Sequence, residues 1–204
     1  MRPQGTAWVL FALAAVVSTV AQTPRALDEA MPQLRGVSRV ALRHVRVVDG
    51  TGAPARQNQT LIIENGRIGA VGGGAEIAIP EGTHTLDLDG RTVLPGFVML
   101  HEHMVHGSED RNTHPEPFTS PRLFLAFGVT TIRTAGTIDP YLELNLKRKV
   151  DRGEVPCPEL HLTGPFFSGE GGFPHDKVVR DAEDGRRVVR YWASEGFTSF
   201  KAVD

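Results

Sequence analysis

One stretch of the sequence, VLPGFVMLHEHMVHG at residues 93–107, constrains the fold and the chemistry of the chain more than any other. A Pro-Gly turn leads into an apolar run that ends in His101 and His103, which are separated by one residue. Side chains on a strand alternate between faces, so an extended chain over residues 97–104 would project both histidines to one side and Glu102 to the other. Two adjacent imidazoles supply half of a zinc site, and a catalytic site needs further ligands from elsewhere in the fold. The alternative is a pair of polar residues at a strand end, or two hydrogen-bonded core histidines.

The apolar run before the histidines predicts a strand that is covered on both faces, because it lacks polar alternation. Strands of that kind belong to parallel sheets, which require crossover helices.

The sequence after His103 alternates between strand and helix patterns. Predicted helices run from Ser120 and Pro121 to Gly128, from Asp139 and Pro140 to Gly153, and from about residue 182 to Gly196. Strands are predicted between and after them at VTTIRTAG, ELHLTG and residues 197–203. Such βα units build either a doubly wound sheet or a (β/α)8 barrel, and histidines at the C-terminal end of a strand favour the barrel.

The segment before the Pro-Gly turn predicts β structure without a helix. It contains Asn65 followed by Gly66, the strongest short-range hairpin signal, and a further turn at Asp89 and Gly90. The three consecutive glycines at residues 72–74 predict a loop.

Lys201 is the second candidate site residue. In the segment FTSFKAVD, alternation puts Phe197, Ser199 and Lys201 on one face of a strand. A lysine among apolar neighbours near a strand end would be buried, and an unpaired buried ammonium is costly. The alternative is a lysine whose amine reaches water.

These residues resemble the amidohydrolase superfamily of metal-dependent hydrolases, and within it the imidazolonepropionase and prolidase-like branch. The shared features are the Pro-Gly entry, the His-x-His pair, the valine-aspartate-glycine run ending at Gly50 and the hairpin around Asn65 and Gly66. The sequence departs from the family at Met99 and Thr134, where most members have aspartate.

The resemblance implies an α/β fold, a partial TIM (β/α)8 barrel preceded by a small β-sandwich domain. The predicted domains are a signal peptide at residues 1–21, a mature leader at 22–38, the N-terminal part of the β-sandwich at 39–95 and the first four βα units of the barrel at 96–204. The chain is then truncated after the fourth barrel strand, so we expect a fragment or a short product that is not a working enzyme alone.

The resemblance also implies a metal site. His101, His103 and Lys201 stand where the family has metal ligands, and the lysine in that position is carboxylated and bridges two metals. The cofactor is then one or two divalent ions, zinc above others. His161 and His175 are weaker candidates for substrate binding, and no catalytic proton shuttle is assigned.

The implied function is hydrolysis of a carbon–nitrogen bond, in a small amide or dipeptide-like substrate, by a metal-bound hydroxide. Two alternatives stay open. One is a non-catalytic remnant of an amidohydrolase, and the other is a cupin-like metal-binding protein, which would be all β after the histidine pair. Oligomer formation is compatible with the sequence.

Composition excludes some partners and predicts a location. The formal net charge is −2 without a basic stripe, so no nucleic-acid partner is expected.

The apolar run at residues 7–20 after Arg2 predicts a secretory signal peptide. The protein is then expected to be secreted or periplasmic and to lack a stable membrane span. The alternative is an uncleaved anchor. The lone Cys157 is predicted to be structural.

Overall fold

The computed structural model describes residue 34 and residues 36–107, 113–172 and 176–203. The predicted signal peptide, most of the predicted leader and His175 lie outside the described residues. Within them no helix is long and apolar enough to cross a bilayer.

The first part of the described chain forms one mixed five-stranded sheet. Its strands are β1 (Arg39–Val47), β2 (Arg56–Glu64), β3 (Arg67–Gly73), β4 (His84–Asp87) and β5 (Thr92–Val93). The order is β3-β2-β1-β4, with β5 also beside β1; β2 is antiparallel to its neighbours, and β4 and β5 run parallel to β1. Residues of β1 and β2 form one buried apolar cluster that includes Leu42, Val45 and Leu61. The helix-free prediction is confirmed here, whereas the β-sandwich stays a prediction because the described residues contain one sheet in this part.

Local turn chemistry explains the hairpin between β2 and β3. Asn65 and Gly66 have φ values of 50° and 73°, the left-handed conformation that a tight two-residue hairpin requires. The prediction of a loop at residues 72–74 is wrong for Gly72 and Gly73, which pair with Thr60 and Gln59 at the end of β3, and is confirmed for Gly74, which lies in the turn that follows. The glycines accommodate the turn that follows, since a Cβ on Gly72 would lie 2.9 Å from Ile77.

The second part of the described chain alternates strands and helices. Its elements are β6 (Phe97–Glu102), β7 (Val105–Gly107), β8 (Thr113–Pro115), α1 (Thr119–Ala126), β9 (Val129–Thr134), α2 (Pro140–Asp151), β10 (Glu159–His161), β11 (Phe167–Ser168), β12 (Lys177–Val178) and α3 (Ala182–Glu195). Strands β6, β9 and β10 form a parallel sheet in the order β10-β9-β6, which confirms the predicted parallel βα arrangement.

Caps set the bounds of two helices as predicted. The Asp139 carboxylate accepts the Leu142 N–H at 3.0 Å at the start of α2, and Gly196 ends α3 in a left-handed conformation with φ of 115°. The predicted start of α1 is wrong. Its N-cap is Phe118, whose side chain makes no capping hydrogen bond. The helix begins before Ser120 because the backbone already turns there, with the Ser120 N–H donating to the Glu116 carbonyl at 3.3 Å.

The predicted fourth strand is present only as isolated bridges. Ser199 bridges Thr163 and Ala202 bridges Phe167, both in parallel, so residues 197–203 lie beyond β10 on the side away from β9. Strict alternation is wrong in this segment, since Phe197 and Phe200 both contact the same apolar core. Lys201 is half-buried rather than buried.

Among the described residues, helices cover one face of the parallel sheet. Helices α2 and α3 contribute Leu144, Val188 and Trp192 to a core that also contains Ile132 and Leu160 from the strands. On the other face, Val98 and Leu100 are 59% and 68% exposed, so the prediction of a strand covered on both faces is wrong for β6.

Candidate metal centre

A β-bulge in β6 directs the histidine pair to the open face of the sheet. Met99 pairs with Ile132 and Glu102 pairs with Thr134, so three steps along β6 span two steps along β9. Met99 packs against the helix-covered core, and uninterrupted alternation would place His101 on that same covered face. The extra residue reverses this, because a bulge re-aims the side chains that follow it. His101 is accordingly exposed.

The two histidines lie side by side, as the sequence spacing predicts. Their ring centroids are 5.4 Å apart and the rings meet edge to face at 74°. Lys201, from the segment beyond β10, joins them: its Nζ lies 3.5 Å from Nε2 of His101. The fold therefore brings His101, His103 and Lys201 into one group at the C-terminal ends of parallel segments, where barrel and open-sheet enzymes assemble their sites.

The aromatic ring of Phe166 packs against His103 and Lys201. This contact was not predicted from the sequence. The Phe166 ring stacks on that of His103 at a centroid distance of 5.6 Å, and Lys201 Nζ lies 5.3 Å from its centre. Gly136 makes room for the ring, because a Cβ there would lie 2.4 Å from Phe166 Cε1. The sequence feature that could have indicated this contact is a glycine directly after a parallel strand. In the structure this residue, Gly136, has a left-handed φ of 102°.

The environment of His103 favours the neutral form of its ring. Partial burial is the largest cause that lowers its pKa, and the nearby Lys201 and His101 act in the same direction. A hydrogen bond from the His103 ring to the Gly136 backbone carbonyl acts in the opposite direction but does not cancel them. Neutral imidazole is the form that binds a metal, and a fixed donor nitrogen leaves the other nitrogen with its lone pair.

The imidazoles of this group are side chains of a kind that binds divalent metals. The group holds too few such ligands for a complete site. The two imidazoles supply nitrogen donors of the type that zinc accepts. In the described part of the chain, no group of three or more His, Cys, Asp or Glu side chains is placed to hold a metal. A complete site therefore needs at least one ligand beyond His101 and His103.

His161, the other candidate among the described residues, is not part of this group. The His161 side chain is 53% exposed and lies 3.3 Å from the Glu159 carboxylate. It lines a cavity of about 410 Å³ on the open face of the sheet with Val98, Leu100, Thr131, Arg133, Thr198 and Ser199. Its substrate role stays a prediction. Cys157 is fully buried in the helix-covered core, where burial raises the pKa of its thiol, as a structural cysteine requires.

Buried hydroxyl groups hold the strand ends beneath the site. The Thr163 N–H donates to Thr134 Oγ1 at 2.8 Å, and the Thr163 hydroxyl donates to the Thr134 carbonyl. The same hydroxyl lies 2.6 Å from Ser199 Oγ, two residues before Lys201. These bonds continue the sheet between β9, β10 and the fourth segment where regular strand pairing has ended, and so they position Lys201.

Known proteins similar to this chain are hydrolases by name. Over 98 residues it is 37% identical to an imidazolonepropionase of Nocardia farcinica, a match that covers 47% of this chain and 24% of that protein. Over 99 residues it is 34% identical to a deacetylase of Agrobacterium fabrum, which covers 48% of this chain and 23% of that protein. The solved structure of a provisionally assigned prolidase from Bifidobacterium longum matches with a TM-score of 0.65 and 26% identity, over 82% of this chain and 41% of that one. No protein-family model matches the chain.

Proposed function

Over its matched part this chain is related to the amidohydrolase superfamily, and from that relationship we propose that it is a metal-dependent hydrolase of carbon–nitrogen bonds. The chain spans about a quarter of the length of the curated relatives, so activity, substrate and partners all belong to the proposal. The observation that carries it is the convergence of His101, His103 and Lys201 from segments 100 residues apart.

In this proposal His101 and His103 bind a divalent ion, zinc above others, through neutral imidazole nitrogens. Lys201 would complete the group as a carbamate: its uncharged amine nitrogen bonds to the carbon of carbon dioxide, a proton is released to solvent, and the carbamate oxygens would serve as metal ligands. A bound divalent ion supplies polarisation of the scissile carbonyl and a lowered pKa for an attacking water. Phe166 shields one side of the group from water, and the Gly136 carbonyl orients the His103 ring.

The finer parts of the proposal concern the fold and location. Four parallel segments with helices on one face are the arrangement of half a (β/α)8 barrel, with the 410 Å³ cavity on the side that faces the barrel axis. The five-stranded sheet then belongs to a flanking β-sandwich. The apolar run at residues 7–20 supports export by a signal peptide.

The substrate class follows from the relatives. Imidazolonepropionase, deacetylase and prolidase are names for enzymes that hydrolyse carbon–nitrogen bonds. We therefore propose small amides or dipeptide-like compounds as substrates. The open face offers Arg133 and His161 as polar groups near the site.

The test uses a complete hydrolase built on this front half, because the sequence predicts that residues 1–204 alone are not a working enzyme. It is loaded with zinc in the presence of bicarbonate and assayed for amine release from N-acyl amino acids and Xaa-Pro dipeptides. The His101→Ala and His103→Ala variants should lose both metal and release, whereas His84→Ala, on the other sheet, should lose neither. Metal binding without release would leave the metal site standing and remove the hydrolase assignment. Release that persists without metal would overturn the proposal.

A further inference from the structure

Arg133 is a charged residue on the open face of the sheet, and the proposed metal chemistry gives it no role. It lies near the end of β9 and lines the cavity of about 410 Å³. A cavity of that volume can hold a small ligand, and a few polar groups in such a site fix the ligand's orientation. Among the described residues that line the cavity, Arg133 alone carries a permanent charge. The cavity is therefore suited to a ligand with a negative charge.

The Arg133 guanidinium is directed across the sheet towards β6. Its Nη1 donates to the Leu100 carbonyl at 3.2 Å, and one peptide bond joins that carbonyl to the nitrogen of His101. Among the described residues the guanidinium makes this hydrogen bond and no ion pair. Its other N–H groups form a planar fork that matches the two oxygens of a carboxylate. The fork thus lies beside the backbone of the first histidine and is available to an anion.

The two outer sides of the cavity adjoin the His101–Lys201 contact. On the β6 side, Val98 and Leu100 are 59% and 68% exposed and offer an apolar surface. On the side of residues 197–203, Ser199 lines the cavity two positions before Lys201. A ligand in the cavity would therefore have a hydrocarbon surface for an apolar side chain and the candidate metal centre at one end.

The spacing favours a carboxylate close to the scissile bond. One residue of extended chain spans about 3.3–3.6 Å, and one residue also separates the carbonyl that Arg133 contacts from the next carbonyl, that of His101. In an N-acyl amino acid or a dipeptide, one residue separates the amide carbonyl from the terminal carboxylate. A carboxylate bound by Arg133 would thus place the amide bond next to His101 and Lys201.

We infer that Arg133 determines substrate specificity by binding a carboxylate one residue away from the scissile amide. The substrates are then anionic N-acyl α-amino acids and dipeptides with an apolar side chain, and not neutral amides. The scissile role of the neighbouring centre belongs to the proposed function, on which this inference rests. The binding of a carboxylate can be measured without metal.

The first experiment measures binding by the metal-free full chain with N-acetyl-leucine and N-acetyl-leucinamide, which have nearly the same size and differ in charge. The acid should bind about 10-fold more tightly, since hydrogen bonds to a charged group are stronger than those to a neutral one. Arg133→Gln should bind both probes equally, and Arg133→Lys should keep part of the preference, because it retains the charge without the fork. The matched control is Arg148→Gln, which removes an exposed arginine of α2 and should keep the full preference.

Labelling with ¹⁵N-histidine locates the bound acid in the same protein. His161 lines the cavity, so its ring signal in the NMR spectrum should shift with N-acetyl-leucine, while that of His84 in β4 should not. This readout needs the wild type only, and it decides the matter if Arg133→Gln does not fold. Equal affinity for the two probes in the wild type, a preference that persists in folded Arg133→Gln, or an acid that leaves His161 unshifted would overturn the inference.

Acetate release from the same two probes by a complete, zinc-loaded hydrolase built on this front half separates the inference from the proposed function. The inference predicts a higher kcat/KM for the acid, and loss of that advantage in Arg133→Gln. Selective binding of the acid without any acetate release would leave the carboxylate site standing and remove the hydrolase assignment. Equal release from both probes, unchanged in Arg133→Gln, would keep the hydrolase assignment and overturn the role of Arg133.

Discussion

Lys201 Nζ lies 3.5 Å from His101 Nε2, although the two residues are 100 positions apart. The contact requires both the bulge in β6 and the bridges that hold residues 197–203 beside the end of β10. This contact brings the first strand of the parallel region, β6, and its last segment, residues 197–203, together at one site.

The first prediction concerns Lys201. If its amine is carboxylated, ¹³C-labelled bicarbonate should produce a carbamate carbon signal in the zinc-loaded wild type, and Lys201→Met should lack it. The matched control is Lys147→Met, which removes a half-buried lysine that pairs with Asp151 at 2.9 Å. A carbamate signal that survives in Lys201→Met would assign the modification to another residue.

The second prediction concerns the space that Gly136 leaves for Phe166. Gly136→Ala combines a left-handed φ with a Cβ placed 2.4 Å from the ring, so it should cost about 1–3 kcal/mol more than strain alone. Gly171→Ala isolates the strain, because Gly171 has φ of 91° and no atom lies within 4 Å of its built Cβ. Urea unfolding of both variants gives the comparison.

The Phe166→Ala background checks the cause. Gly136→Ala should lose its excess cost there, because the clashing ring is gone. An excess that persists without the ring would mean that Phe166 is not what Gly136 accommodates.

The third prediction concerns the hydroxyl network under the site. Thr163→Val leaves the Thr134 carbonyl and the Ser199 hydroxyl without their buried partner, so the free energy of unfolding should fall by about 1–3 kcal/mol. Thr60→Val is the matched control, since Thr60 is equally buried but its hydroxyl has no partner among the described residues. That change should be neutral or stabilising. Equal effects in the two variants would argue against the network.

The fourth prediction concerns pH. Burial raises the pKa of Glu143 from 4.5 to about 8 in the folded protein, so the folded state holds a proton that the unfolded state releases between those values. Stability should therefore fall as pH rises from 4.5 to about 8, and this loss should be absent from Glu143→Gln. Urea unfolding of both proteins at pH 5 and pH 8 measures it, and parallel pH profiles would contradict the burial-shifted pKa.

Features that depend on neighbouring residues along the chain were predictable from sequence. The Asp139 cap, the left-handed Gly196 and the hairpin turn at Asn65 and Gly66 each follow from chemistry within four residues. The pairing of His101 with His103 belongs to the same class, because a spacing of two defines it.

Features that depend on distant contacts were not predictable. The bulge that re-aims His101 exists only in the register between β6 and β9, and Phe166 reaches the histidines through a loop after β10. The predicted alternation of side chains between two faces fails at Phe197, because its ring packs against Trp192 of α3 with ring centroids 5.7 Å apart. Glu143 shows no signal in the sequence, since an acidic residue in the first turn of a helix is ordinary until its burial is known.

The most direct test of the account is zinc binding by the full chain, measured by chelator competition. We compare the wild type, the His101→Ala/His103→Ala double variant and a His44→Ala/His84→Ala double variant, whose histidines lie in the five-stranded sheet region. The account predicts that the control binds like the wild type, while loss of His101 and His103 weakens binding by at least the roughly 10–100-fold that loss of an outer partner costs. Equal zinc affinity in all three proteins would contradict it.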